Sequence, residues 1–172
     1  GSSTGGVPHV DILKYLLKRD VDIEADHVTG SLATEQFITT VREGMKRNAW
    51  LALGQAYALE ASALPELAVL VGPVLNAYAR MIGVAEPIKK IALKENGTHD
   101  FPRVNSPEDA LGMSMSDWFA MHIIDFEVGH RDFLGEEARK ALLAGGNSEM
   151  FRQGYTSVLD AMDTWWASLA VS

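Results

Sequence analysis

The chain has no cysteine among its 172 residues, which excludes disulfides, thiolate metal sites, iron-sulfur clusters and cysteine nucleophiles together. It has no cluster of Lys and Arg either. Fifteen basic side chains stand against 23 acidic ones, for a formal charge of -8 and a pI near 5.0, a balance that argues against the phosphate backbone of nucleic acid as a partner. No uninterrupted apolar run approaches the ~20 residues that span a bilayer. The opening GSSTGG, Gly1 to Gly6, lacks the charged and apolar regions of a signal peptide and reads as a cloning remnant. The expectation is a soluble, cytoplasmic protein with no membrane or nucleic-acid partner. Residues 7–172 form one helical domain, long enough to bury a sizeable core.

What is present is helical periodicity. Apolar residues make up 47%, and no segment alternates with period two, so the fold class is all-α, a bundle of about six or seven helices. Val10 to Arg19 is a short amphipathic helix, followed by a polar connector from Asp20 to Ser31. From Leu32 to Leu64 the spacing predicts one long helix, bent near Gly44 or Gly54. Pro65 begins the next element, which runs to Ile82 with a kink at Gly72-Pro73. Glu86 to Leu93 is a shorter helical piece ended by Asn96-Gly97. Ser106-Pro107-Glu108-Asp109 has the cap, proline and acidic first turn of a helix start, with Gly112 as its stop. Ser116 caps the central helix, Gly135 to Leu143 is a short charged helix, and Ser148 to Leu169 is the long closing one. Trp165 and Trp166 cannot both face one core, so one of them meets another helix or a second subunit of a homodimer.

The chemistry concentrates in Ser116 to Phe133, SDWFAMHIIDFEVGHRDF. This should be a helix apolar on most sides and therefore internal. It nevertheless carries His122, Asp125, Glu127 and His130. Each unpaired buried polar group costs about 1 to 3 kcal/mol, so either other side chains and water satisfy these groups or a metal ion does. Isolated acids elsewhere bear on that choice. Glu60 stands in LALGQAYALEASAL among apolar residues and glycine, and Glu95 lies in IALKENGTH with His99 following.

Several stretches in order resemble the heme-oxygenase-like di-iron oxidases and oxygenases, helical bundles related in fold to thiaminase-II-like and coenzyme-PQQ-synthesis proteins. QAYALEASALPEL is similar to that family's first core helix, ALKENGTH to its second glutamate segment, FAMHIIDFEVGH to its His-x3-Asp/Glu-x2-His helix, and LDAMDTWWASL to its closing helix. Together they cover residues 32–170. The resemblance implies two irons per chain, the second held weakly, with Glu60, Glu95, His122, Glu127 and His130 as ligands and Asp125 as a substitute or supporting partner. It also implies dioxygen as co-substrate and a small amine, amino acid or fatty acid as the molecule oxidised. Tyr57, Trp118, Phe126 and Tyr155 are the expected pocket residues.

Two departures stand out. The family often places a histidine seven residues after the first glutamate, where this chain has Leu67. The last motif is also one residue too long. On a regular helix His122, Glu127 and His130 would sit at about 0°, 140° and 80°, too spread for one metal, and a single π-bulge between His122 and Glu127 would absorb the surplus. The alternatives are a metal-free thiaminase-II-like or degenerate bundle that binds a ligand, an interaction module with its acids on the surface, and a heme site with His122 or His130 as proximal ligand.

Overall fold

The computed structural model describes residues 7–89 and 104–169, with the side chains of residues 125–127 excepted. The described residues are helical with no strand. The helices are α1 (His9–Val21), α2 (Leu32–Arg47), α3 (Ala49–Pro65), α4 (Gly72–Met81), α5 (Pro107–Gly112), α6 (Met115–Met121), α7 (Glu127–Leu143) and α8 (Ser148–Leu169). Two π-helical segments join pairs of them without a loop: Glu66–Val71 links α3 to α4, and His122–Phe126 links α6 to α7. The chain divides into two compact units. Residues 1–28 and 64–126 form the first, and residues 29–63 and 127–172 the second.

In the first unit, α1 buries Ile12, Leu16 and Val21 against Ala79 of α4, Ala110 of α5 and Met115, Trp118, Phe119 and Met121 of α6. Ser106 caps α5 by accepting from the Asp109 N–H. The cap of α6 is Ser114, not Ser116, because Ser114 Oγ is the acceptor for the Asp117 N–H. Ser116 instead donates to the Pro87 carbonyl at 3.0 Å and accepts from the Lys89 N–H at 2.7 Å. Asn76 clamps the same segment from α4, with its side-chain amide on both the N–H and the carbonyl of Ile88. Residues 84–89 are therefore irregular, although the helical piece expected over Glu86 to Leu93 would begin there; the rest of that expected piece lies outside the described residues.

The second unit packs α2 beside α8, with Ala58, Val158 and Met162 as its buried centre and Phe37, Val41, Leu59, Tyr155, Leu159 and Trp166 around them. The long helix expected over residues 32–64 is two helices. Asn48 is extended (φ -158°, ψ 138°), and its side chain caps α3 by accepting from the Trp50 N–H at 2.8 Å. Gly44 and Gly54 are not bends but contact points. A methyl group on Gly54 would collide with the Phe151 carbonyl, and one on Gly154 with the Leu51 carbonyl, so α3 and α8 meet backbone to backbone at two glycines.

Two further expectations are corrected. Pro65 does not start a helix, because α3 runs through it into the π segment. There the Gly72 N–H reaches back five residues to the Leu67 carbonyl, and the widened turn lies just ahead of Pro73, whose ring would crowd a regular α-helical carbonyl. Likewise Gly135 does not begin a separate helix, because α7 is continuous from Glu127 to Leu143. As a result one helical run, Ala49–Met81, is long and apolar enough by length and composition to cross a membrane, with 11% of its most apolar window buried. Counting uninterrupted apolar residues missed it, because Gln55, Glu60, Ser62 and Glu66 punctuate a helix that continues past them.

Candidate functional site

The central stretch is internal over only part of its length. Met115, Trp118, Phe119, Ala120, Met121 and His122 are buried, whereas Gly129, His130 and Phe133 are exposed. The π segment falls at His122–Phe126, the place where the motif carries one residue more than a regular helix tolerates. The side chains of Asp125, Phe126 and Glu127 lie outside the described ones, and Glu95 lies outside the described residues altogether.

Glu60 and His130 come together in the second unit. Glu60 Oε2, on α3, is 3.5 Å from His130 Nδ1 on α7, with the glutamate side chain 30% and the imidazole 54% exposed. This is wider than a strong hydrogen bond. It does match the spacing of two donors on one metal, since ligands each ~2.1 Å from an ion stand about 3.0 to 3.5 Å apart at right to tetrahedral angles.

His122 has a different setting, in the first unit. Its Nδ1 is 2.7 Å from the Trp118 carbonyl. A carbonyl only accepts, so Nδ1 carries the proton and, in the neutral ring, Nε2 carries the lone pair. That Nε2 is 3.2 Å from His9 Nδ1. The His122 ring lies on Trp118 at 3.7 Å between centroids and meets the His9 ring edge-on at 78°. The carbonyl bond is the arrangement of an ordinary buried histidine. It is equally the bond that orients a metal-binding imidazole. Among the described residues no group of three or more His, Asp or Glu side chains converges.

Of the expected pocket residues, Tyr57 and Tyr155 are neighbours in the second unit, with ring centroids 5.9 Å apart, and Tyr57 also covers Gly135. Trp118 is buried against His122. The clefts lie elsewhere. One of about 700 Å³ runs between α2 and α8, lined by Phe37, Thr40, Ser157 and Asp160 among others. Another of about 440 Å³ lies in the first unit, bounded by Leu67, Asn76, Ile88, Phe119, Ile123 and two cations, Arg80 and Lys89; Arg80 is ion-paired with Glu86. Trp165 donates from Nε1 to Thr34 Oγ1 on α2 at 3.0 Å and stacks on Phe37, while Trp166 joins the apolar centre of the unit; the two indole rings stay in contact, 4.5 Å between centroids.

Two carboxylates on exposed helix faces, Glu136 and Glu149, are held below their usual range. A hydrogen bond from Arg139 lowers Glu136, and one from Arg152 lowers Glu149. These pairs are solvated and screened, and they mark no site.

Sequence reasoning missed His9. It follows Pro8 at the head of α1, 113 residues from its partner, and no local pattern sets it apart from a surface histidine.

The fold and these residues define an all-α bundle protein with paired His and Glu side chains. No family model matches the sequence, and no curated protein does. Two crystal structures, at 2.00 and 1.35 Å resolution, of a CADD-like protein of unknown function from Nostoc punctiforme PCC 73102 are similar to the chain. The first has a TM-score of 0.66 at 25% identity over 99% of this chain and 60% of that one. The second has a TM-score of 0.58 at 24% identity, covering 99% and 58%. The chain thus spans about three fifths of the protein it resembles.

Proposed function

We propose that the chain is a non-heme di-iron oxidase or oxygenase of the heme-oxygenase-like type, oxidising a small molecule with dioxygen in the cytoplasm. The observation that carries this reading is the Glu60–His130 approach at 3.5 Å, an acid from α3 and an imidazole from α7 set at the spacing of two ligands on one ion. The π segment at His122–Phe126 adds to it, because such segments recur at functional sites. Carboxylate and imidazole donors suit iron, which when bound supplies the electrons and open coordination positions for dioxygen chemistry.

The chain's own residues would do the rest. Glu60 contributes negative charge to a cationic centre, and His130 a neutral donor. In the first unit, the 440 Å³ cleft is lined by Leu67, Ile88, Phe119 and Ile123 together with Arg80 and Lys89. That lining suits a ligand with a hydrocarbon body and a carboxylate, such as an amino acid or a fatty acid.

The test is a metal count on protein loaded anaerobically with ferrous iron. The expected result is two irons per chain in the native protein, a lower count in Glu60→Ala and His130→Ala, and a dioxygen-dependent absorbance change that both variants lose. Native protein that retains no iron overturns the reading. The carbonyl-bonded, Trp118-stacked setting of His122 would then stand as evidence for a metal-free, ligand-binding bundle.

A further inference from the structure

The first unit brings two imidazoles together from the two ends of its sequence. We propose that His9 and His122 form a metal-binding pair for a divalent first-row transition ion. The inference extends the reading above, on which the assignment of His122 as a ligand rests.

The 3.2 Å between His9 Nδ1 and His122 Nε2 falls within the span of two donors on one ion, about 3.0 to 3.5 Å. The second nitrogen of His122 is spent on the Trp118 carbonyl at 2.7 Å. That bond fixes the tautomer with Nε2 as the donor atom, the role played by the outer partner of a metal-bound histidine. His122 is 6% exposed and its ring is stacked on Trp118 at 25°, so the donor is held before any ion arrives. The two imidazoles meet edge-on, nitrogen toward nitrogen.

The backbone places His9 as firmly. Pro8 precedes it at φ -58°, and the Pro8 carbonyl accepts from the Asp11 and Ile12 N–H groups at 3.0 and 3.2 Å, fixing the first turn of α1. Ile12 and Leu16, fully buried, anchor that helix beside α6. Paired imidazoles with no thiolate in the chain favour iron, cobalt, nickel, copper or zinc over magnesium or calcium.

The competing role for His9 is simply to donate its Nδ1–H to His122 Nε2. A glutamine in its place keeps a donor and removes the metal ligand, so the two roles separate. The experiment titrates the metal-free chain with Co2+, reading visible absorbance, in the native protein and in His9→Gln and His9→Ala. The expected outcome is binding weakened roughly 10-fold or more in both variants, with the thermal unfolding of metal-free His9→Gln unchanged. Native-like Co2+ affinity in His9→Gln overturns the proposal and leaves His9 a hydrogen-bond donor. Glu60→Gln and dioxygen uptake are measured separately: loss of cobalt from Glu60→Gln with His9→Gln intact would retain the oxidase and sink the pair, whereas cobalt loss in His9→Gln without dioxygen uptake by iron-loaded native protein would retain the pair and sink the oxidase.

Discussion

Gly54 and Gly154 are each defined by what a single methyl group would strike. The obstacle is a backbone carbonyl in both cases, Phe151 for one and Leu51 for the other, and a carbonyl cannot swing aside as a side chain can. Gly54→Ala should therefore cost about 1 to 3 kcal/mol, as overpacking of a tight core does. For a chain of this size that is a fall of about 3 to 10 °C in Tm, measurable by circular dichroism. Alanine raises intrinsic helix propensity over glycine by about 1 kcal/mol, so a stabilised variant would show that the helices can separate cheaply. Gln55, one residue on, is 1% exposed with weak contacts of 3.4 and 3.5 Å from its nitrogen to the Thr40 carbonyl and Ser157 Oγ. It fills the notch that Gly44 leaves open, which explains why a polar side chain sits where α2, α3 and α8 converge.

Among the elements, the π segments have the clearest consequence. A π turn carries one residue more than the α turn it replaces, so deleting one residue from His122–Phe126 should restore a regular helix and leave the residues beyond it close to their present phase. Deletion of Ile124 should consequently change Tm by only a few degrees, as read by scanning calorimetry. A collapse of Tm would mean that the widened turn itself, and not only the phase it preserves, is needed for packing.

Legibility followed how local each signal was. The Ser148–Leu169 helix was readable end to end, because Gly145-Gly146 stops the helix before it and the apolar stripe recurs every three to four residues. The π segment was readable because a motif and a helix disagreed by one residue. The break at Asn48 was not, since its neighbours all favour helix and only its extended backbone and its bond to the Trp50 N–H reveal the cap. The Glu60–His130 approach is a product of how α3 and α7 pack, which no single stretch encodes. His9 is further still from its partner in sequence, and the apolar period that begins at Val10 says nothing about a role for the histidine before it.

At the scale of the molecule, much apolar surface is left uncovered. Val69, Val74 and Met81 are 65%, 59% and 75% exposed, all on the helical run Ala49–Met81. A chain that displays such a surface should bind the dye ANS in its native state, with a fluorescence increase that appears well below the unfolding transition. A silent dye would mean that this face is covered in solution. The interleaving of the two units bears on biosynthesis as well. The first unit is complete once residue 126 has emerged, whereas the second takes in residues 29–63 early and then waits for residue 127 and those that follow. During translation α2 and α3 are thus made long before α8 exists to cover them, and the nascent chain has to keep those two helices out of trouble until α8 has emerged.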